Sequence, residues 1–455
     1  MNKTYIANKT MKTQRLSILF LAAAMAFASC RKSDNNDNGE LPAKTPESIT
    51  GDITASKTLT SDRQWILDGT VFVRSGAILT VEPGTVIRAK VGTKAALVID
   101  KGAKLMADGT AAKPIVFTSG KEAGSRTPGD WGGIILVGRA TTNRTTPVPV
   151  EGGVALTYGT DKIDDDNSGT LRYVRIEYAG IGVNDSEINA LTFYAVGNKT
   201  IIENVQTVYA NDDAFEFFGG TVNCKNLVAY GTADDDFDFD FGFNGSVQFA
   251  VSIRDPKFVD AADDGNGIEC DNDKDGTDAA PITMPRLSNL TLVGPNNAAN
   301  TAARHAYGNR WRRGAKFIFN NSIILGAQKG GLNIESDKSA TFYKNGDSQF
   351  KNNIVAAYTA PFLTNANALI LTAADMQAKV LLDGGVVFAD GNTSVKLTNP
   401  FSLTAPDFLP AAGSPALSGT WAATTGATAV TYRGAFGNTD WTKGWTNWDA
   451  QNTKY

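Results

Sequence analysis

Apolar residues along most of the chain occur in short runs rich in Val, Ile, Leu and Phe, and Gly, Asn or Asp separates one run from the next. Early examples are residues 70–73, 78–81, 85–88, 96–99 and 114–118. A sustained period of 3.6 residues is nearly absent, so we expect few helices. The runs are also too closely spaced for the crossover helices of an α/β fold. The pattern therefore predicts an all-β protein.

An asparagine followed by an apolar strand recurs along the chain, at Asn204, Asn226, Asn289, Asn321 and Asn353. The spacing fits a solenoid with rungs of roughly 20 to 30 residues, some of which carry inserted loops. One asparagine in each rung can stack its amide on the next in a ladder at a turn. We therefore predict a right-handed parallel β-helix with capped ends over residues 49–440.

Both ends of such a helix need a cap, because an open last rung would expose the apolar interior. Residues 51–67 are the expected first cap. At the other end Trp441, Trp445 and Trp448 follow a spacing of i, i+4 and i+7, which is one face of a short helix. We interpret residues 441–455 as an aromatic cap on the last rung, with a sugar-stacking platform as the alternative.

The N-terminal segment has the pattern of an export signal. Lys12 and Arg15 precede an apolar run over residues 16–27, which ends in two small residues before Cys30. The run is shorter than the roughly 20 apolar residues that a spanning helix needs. Residues 1–29 are therefore predicted to be a cleaved signal peptide.

Residues 27–30, Phe-Ala-Ser-Cys, resemble a bacterial lipobox, which implies lipidation of Cys30. Two or more acyl chains anchor a protein stably, so the expected partner of Cys30 is the lipid of the outer membrane. The polar stretch that follows predicts a flexible tether over residues 30–48. It resembles the acidic stretch of Bacteroidota surface lipoproteins, which implies an outward-facing location.

Composition narrows the classes of function. The formal net charge of -4 argues against nucleic acid as a partner, because such binding concentrates Lys and Arg on one face. His305 is the only histidine, so a multi-histidine zinc site is excluded and Ser-His-Asp or Cys-His catalysis would need His305 itself. Cys224 and Cys270 flank apolar strand residues, and we interpret them as small buried side chains, with a disulfide as the alternative.

The strongest candidate for chemistry is a set of acidic residues at equivalent positions of successive predicted rungs. Glu216, Asp238 and Glu269 each follow an apolar residue in a similar acidic segment, and Glu335 extends the pattern to a fourth rung. Stacked strands lie about 4.8 Å apart, so these carboxylates would form an acidic column. Like charges at that distance raise one another's pKa or recruit a cation, and Ca²⁺ accepts oxygen ligands. We expect Ca²⁺ or a polar ligand there.

Neighbouring carboxylates add candidate metal ligands. The predicted ligands in the acidic segments are Asp212, Asp213, Asp235 and Asp236. A following loop offers Asp271, Asp273 and Asp275 at alternating positions before a glycine, with a solvated turn as the alternative. The basic cluster over residues 304–313 is expected to form salt bridges with the acidic face.

Three segments carry a family resemblance, namely residues 129–136, 167–177 and 212–222. They resemble a large group of Bacteroidota β-helix lipoproteins of mostly unassigned activity, over roughly residues 60–440. The architecture also resembles that of pectate-lyase-like proteins, in which Ca²⁺ held by carboxylates binds a uronate and an arginine abstracts a proton. No lyase or polygalacturonase motif aligns, so the resemblance assigns no catalytic residue.

Three functions are compatible with these observations. The first is a surface-anchored, non-catalytic binding or accessory protein for a polysaccharide or for an outer-membrane uptake partner, since a solenoid presents one extended face. The second is a polysaccharide lyase or a glycoside hydrolase that uses two carboxylates of the column. The third is a structural or adhesion module of the envelope, in which Ca²⁺ only stabilises the fold.

Overall fold

The computed structural model describes residues 45–183 and 186–455. The predicted signal peptide, Cys30 and most of the predicted tether lie outside the described residues. The tether prediction reached residue 48, but the first strand already begins at Pro46.

Strands make up most of the described chain. In chain order they are β1 Pro46–Ile49, β2 Asp52–Ile53, β3 Lys57–Leu59, β4 Gln64–Leu67, β5 Thr70–Val73, β6 Ile78–Val81, β7 Val86–Ala89, β8 Ala96–Ile99, β9 Lys104–Asp108, β10 Ile115–Ser119, β11 Gly133–Val137, β12 Val148–Pro149, β13 Thr157–Tyr158, β14 Gly169–Glu177, β15 Gly182–Val183, β16 Ser186–Glu187, β17 Leu191–Val196 and β18 Ile201–Val208. They continue with β19 Phe215–Gly220, β20 Asn223–Tyr230, β21 Phe237–Asp240, β22 Ser246–Gln248, β23 Val251–Ile253, β24 Glu269–Cys270, β25 Arg286–Ser288, β26 Thr291–Val293, β27 Tyr307–Trp311, β28 Ile318–Asn320, β29 Ile323–Leu325, β30 Gly330–Ile334, β31 Ile354–Ala356, β32 Ala360–Thr364, β33 Val386–Val387, β34 Leu397–Asn399 and β35 Asp407–Pro410. The helices are α1 Asp337–Asn345, α2 Ala373–Leu382, α3 Asn392–Val395 and a 3₁₀ turn at Pro415–Leu417.

Two long parallel sheets hold nearly all of these strands. Sheet A has 18 strands and sheet B has 11, in the order β2-β5-β8-β11-β17-β19-β21-β24-β27-β30-β32. The chain passes through sheet A and then sheet B in each turn, and every pairing within the two sheets is parallel. This arrangement confirms the predicted right-handed parallel β-helix.

Asparagine marks the bend within sheet A. Asn204, Asn226, Asn289 and Asn321 have φ angles of 55°, 57°, 59° and 56°, and the fifth residue of this series is Asn352 at 56°, not the predicted Asn353. Asparagine tolerates this left-handed conformation better than most residues with a side chain, because its short amide bonds locally. The side-chain ladder is seen where Asn352 Nδ2 donates to Asn321 Oδ1 at 2.8 Å. A backbone requirement thus accounts for the repeat.

Inward side chains fill the helix with stacked rings. Phe193, Phe217 and Phe239 stack on successive rungs with ring centroids 4.5 and 4.9 Å apart. Cys224 and Cys270 are buried and form no disulfide. Since successive residues of a strand point to opposite faces, the residue after each inward phenylalanine points outward. The core therefore fixes which residues form the outer face of sheet B.

The C-terminal segment does not close the last rung, so that prediction was wrong. The stack ends at β33, and Met376 and Val380 of α2 are buried against the end of the core. Residues 420–455, here called the strap, run back along the outside of sheet A. Their bonding partners include residues from Gly384, just before β33, to Arg126. At the other end, residues 51–67 supply strands β2 to β4 of the first rungs.

Tryptophans of the strap cover apolar residues on the outside of sheet A. Trp445 packs edge-on against Tyr173 at 5.8 Å, and Trp448 against Tyr230 at 5.2 Å. The backbone there forms turns and no helix. The spacing in the sequence therefore correctly indicated that these tryptophans are buried. The surface that they cover is the outside of sheet A and not the end of the helix. Within the described part of the chain, no helix has the length and apolar character needed to cross a bilayer.

Replacing Trp445 with Ala should destabilise the middle of the solenoid, because the indole is 1% exposed and covers sheet A. We expect a loss of about 3 kcal/mol of unfolding free energy. Hydrogen exchange should accelerate in β14, next to the indole, and in β18, whose Gln206 bonds to Asn447 of the strap, and not in β32 or α2. Trp421→Ala, at a half-buried strap position, is the matched control and should cost much less. Faster exchange confined to β32 and α2 would restore the end-cap interpretation.

Candidate functional site

The outer face of sheet B carries most of the predicted acidic column. The strand register pairs Glu216 with Asp238, and Asp238 with Glu269. Glu335 does not continue the column, because β27 intervenes and places Arg310 opposite Glu269. The next strand then places Asn333, and not Glu335, opposite Arg310. Aligning apolar-acidic pairs in the sequence missed this strand, since its residue at the column position is basic.

Beyond Asp238, arginines neutralise the acidic face. Arg310 bonds to Glu269 and to Glu335, at 2.9 Å each. Arg312 bonds to Asp271 at 2.9 Å and also contacts Glu269. These side chains are mostly shielded from solvent, so each pair is a partly buried ion pair. The predicted salt bridges to the basic cluster are therefore present in this half of the face.

The other half of the face has no such compensation. Asp213, Glu216, Asp234 and Asp238 take part in no ion pair with Lys or Arg within the described chain. Glu216 accepts a hydrogen bond from the amide of Asn189. Asp238 accepts one from its neighbouring backbone N–H at 2.6 Å. Neutral donors alone do not balance this concentration of negative charge.

These carboxylates converge in two groups that share Asp213. Asp212, Asp213 and Asp234 each place an oxygen within 4.8 Å of the others, and so do Asp213, Glu216 and Asp238. Oxygens bound to one Ca²⁺ at 2.3–2.6 Å cannot lie more than about 5 Å apart. Hard carboxylate oxygens are also the ligands that Ca²⁺ prefers. Both groups therefore fit a divalent cation by spacing and by chemistry.

Burial and mutual repulsion raise the pKa of these groups. Burial is the larger cause for Glu216, Asp213 and Asp238, and neighbouring carboxylates add to it. The same two causes raise the pKa of Asp234 to about 8. Protons therefore occupy part of the cluster at neutral pH unless a cation replaces them.

The convergent carboxylates lie in an open cleft with a volume of about 390 Å³, here called the acidic cleft. Glu151, from the insertion after β11, lies along one wall, and Asp260 and Asp263, from the loop after β23, lie along another. No Lys or Arg is among the described lining residues. The cleft exceeds the size of a single ion, so a cation there leaves room for part of an organic ligand.

A ladder of Asn and Asp side chains fixes the turn beneath the cleft. An oxygen of Asn189 accepts from the N–H of Asp213 at 3.2 Å, and Asp213 accepts from Asp235 at 2.8 Å. Asp235 then accepts from the N–H of Asn266 at 2.6 Å. Sequence analysis missed Asn189 and Asn266 in this role. The available signal was an Asn or Asp three residues before each outward position of the column.

Asp236, a predicted metal ligand, points away from the acidic cleft. It is fully buried and pairs with Arg254 at 3.1 Å. Arg254 Nε also donates to Nδ1 of His305 at 3.2 Å. Burial and the positive charge of this guanidinium lower the pKa of His305 to about 3, so the imidazole is uncharged at neutral pH. The imidazole is engaged with Arg254 and does not form a Ser-His-Asp arrangement.

The loop with Asp271, Asp273 and Asp275 does not gather its carboxylates. Asp271 pairs with arginines, whereas Asp273 pairs with Arg144 at 3.0 Å and accepts from the N–H of Thr277 at 3.0 Å. Burial opposes ionisation of Asp273, but these bonds outweigh it and lower its pKa to about 2. Asp275 is exposed. The three predicted ligands are thus not among the carboxylates that converge, because Asp271 and Asp273 are held by different arginines and Asp275 is exposed.

Replacing Arg310 with Met should destabilise the protein strongly, because it leaves Glu269 and Glu335 shielded and short of a partner. We expect a loss of about 3 kcal/mol of unfolding free energy in urea titrations. Arg313→Met is the matched control, since Arg313 is 42% exposed and its pair with Asp271 should be worth under about 1 kcal/mol. Equal losses in the two variants would show that the Arg310 pairs do not stabilise sheet B.

Comparison with protein families supports the fold. A family model described as a pectate-lyase-like β-helix domain matches residues 51–446. Comparison with curated proteins and with solved structures gave no match. The family match extends over most of the chain, including all of the acidic face and every strand of the two sheets except β1. The chain therefore belongs to the family of pectate-lyase-like β-helix domains.

Proposed function

We propose that this protein is a non-catalytic binding protein, anchored by a lipid at Cys30 to the outer membrane, which binds a polysaccharide through Ca²⁺ held in the acidic cleft. The observation that carries the proposal is the convergence of Glu216, Asp234 and Asp238 on Asp213, since none of these four carboxylates forms an ion pair with a Lys or Arg of the described chain. A cation would remove their repulsion, and its remaining coordination positions would face the open cleft. Hydroxyl or carboxylate oxygens of a glycan are suitable ligands for those positions.

The difference between the two halves of the outer face of sheet B favours a bound cation over carboxylates that are only solvated by water. On the same face Arg310 and Arg312 lie beside Glu269 and Asp271, and these pairs neutralise the carboxylates without a cation. No Lys or Arg of the described chain forms an ion pair with Glu216 or Asp238. A carboxylate cluster that is left unpaired costs folding free energy, and a bound cation offsets that cost.

A non-catalytic role agrees with the state of the possible catalytic groups. A lyase would need an arginine that is free to abstract a proton, but Arg310 and Arg312 are held in ion pairs. Burial opposes their charged form, yet the neighbouring carboxylates outweigh it and raise the pKa of both. A retaining glycoside hydrolase is the second candidate, because Glu216 and Asp238 lie on neighbouring strands and such enzymes place two carboxyls about 5 Å apart.

The location rests on the N-terminal sequence. Basic residues, a short apolar run and Cys30 are followed by a polar stretch that leads to β1 at Pro46. A lipid anchor with this tether would leave the solenoid free to present sheet B to a polymer or to a neighbouring outer-membrane uptake protein.

Ca²⁺ should stabilise the full chain, and more so at pH 8 than at pH 5. With chelator, the raised pKa values mean that the folded state binds more protons than the unfolded state between about pH 4 and pH 8. The unfolding free energy therefore falls as the pH rises through that range, and Ca²⁺ restores it by replacing protons. Saturation at 100 times Kd adds about 2.7 kcal/mol. Thermal unfolding with Ca²⁺ and with chelator at both pH values measures this.

Two variants locate the cation. Asp238→Asn should remove most of the Ca²⁺-dependent stabilisation and should itself stabilise the chelated protein at pH 8. Asp275→Asn, the same chemical change at an exposed loop position, should leave the Ca²⁺ effect unchanged. A Ca²⁺ effect lost only in Asp275→Asn would move the site to the loop, and no effect in the wild type would reject the proposed cation.

Affinity electrophoresis through gels that contain neutral or acidic polysaccharides then tests ligand binding. We expect retardation with Ca²⁺ and none with chelator or with Asp238→Asn. Stabilisation by Ca²⁺ without retardation in any gel would favour the structural module. Release of reducing ends that is lost in Glu216→Gln would favour the hydrolase.

A further inference from the structure

A second recess lies on sheet A, whereas the acidic cleft lies on sheet B. It has a volume of about 190 Å³ and lies over β18, β20, β22 and β25, with strap residues 426 and 427 beside it. Asn223, Ser246 and Arg286 occupy equivalent positions on the successive strands β20, β22 and β25. We call it the sheet A groove. It presents polar and basic side chains where the acidic cleft presents carboxylates.

Arg286 in this groove lacks a counter-charge. One of its terminal nitrogens donates to the carbonyl of Asn244, and no Asp or Glu of the described chain forms an ion pair with it. Burial lowers the pKa of Arg286. Arg310 and Arg254, by contrast, each pair with a carboxylate. Arg433 also lacks a carboxylate, but acceptors of the chain bond all three of its nitrogens. Arg286 has one such bond, which leaves donors for an external partner.

Other donors surround the guanidinium. Lys225 lines the groove and forms no ion pair within the described residues, because the adjacent Glu203 bonds instead to Arg172 at 3.0 Å. Ser246 Oγ donates to Asn223 Oδ1 at 2.7 Å, so this bond engages the oxygen of the Asn223 amide and not its N–H groups. Glu203 is the one acidic side chain among the described lining residues. The donor set is therefore suited to an anion.

The strap limits the size of the ligand. Gln248 and Thr428 exchange two hydrogen bonds, of 2.7 and 2.8 Å, which hold the strap against sheet A beside the groove. The volume is below the roughly 300–1,000 Å³ typical of sites for whole drug-sized ligands. It suits one charged group better than a run of sugar rings.

We propose that the sheet A groove binds a single anionic group, a sulfate, phosphate or carboxylate, with Arg286 as its main anchor and Lys225 as a second cation. The planar guanidinium offers paired donors that match two oxygens of such a group. The group can belong to a glycan or to a lipid headgroup, which share this chemistry. The site is independent of the acidic cleft and of Ca²⁺.

Titration of the full chain with sodium sulfate and with inorganic phosphate, at constant ionic strength set by chloride, tests the site by calorimetry. We expect saturable binding that weakens at least tenfold in Arg286→Gln and less in Lys225→Gln. Lys257→Gln, at an exposed lysine away from the groove, is the matched control and should bind as the wild type does. No saturable binding above chloride, or wild-type affinity in Arg286→Gln, would overturn the proposal.

Arg286→Lys keeps the charge and covers the case in which the glutamine variant fails to fold. It should bind more weakly than the wild type because lysine lacks the paired donors, and equal affinity would count against Arg286 as the anchor.

Two further assays separate the sources of the anion. Binding of a sulfated oligosaccharide that is lost in Arg286→Gln supports a glycan ligand, and loss of sedimentation with vesicles of anionic phospholipid supports a lipid ligand. If the substitution changes neither, the proposal is overturned.

Discussion

Parallel stacking brings equivalent side chains of successive turns to about 4.8 Å from one another, so the side chains of every rung must interact favourably at that distance. Inside the helix, Phe193, Phe217 and Phe239 satisfy it by ring stacking. At the turn before sheet B, Asn and Asp side chains satisfy it by accepting the next rung's backbone N–H. The same geometry becomes unfavourable when the stacked groups are all carboxylates.

The outer face of sheet B resolves this conflict in two ways. Toward the C-terminal rungs, Arg310 of β27 and Arg312 just after it lie beside carboxylates and pair with them. Toward the N-terminal rungs, Glu216 and Asp238 are stacked directly, and Asp213 joins them. One half of the face is therefore neutral by construction, whereas the other half holds protons or a cation. This asymmetry is the physical basis of the proposed binding role.

Local patterns predicted the fold and much of the site because both depend on alternation within a strand. The pair of an inward ring and an outward carboxylate is visible in the sequence, so Glu216, Asp238 and Glu269 could be aligned before the structure was known. Glu335 was misplaced because nothing local marks the strand that carries Arg310.

Long-range choices could not be predicted in the same way. The spacing of Trp441, Trp445 and Trp448 indicates burial but does not specify whether they cover the end of the helix or its side. The partners of Asp236 and Asp273 were equally hidden, since Arg254 and Arg144 lie far from them in the sequence or on another turn. Acidic residues that look alike in the sequence therefore divide into paired and unpaired groups only in the folded chain.

Anomalous diffraction from crystals soaked with a lanthanide that substitutes for Ca²⁺ tests the central claim most directly. The account predicts a peak in the acidic cleft at roughly 2.3–2.6 Å from carboxylate oxygens of Asp213 and its neighbours. A cleft without a peak at saturating lanthanide, or peaks only at exposed carboxylates such as Asp275, would contradict it.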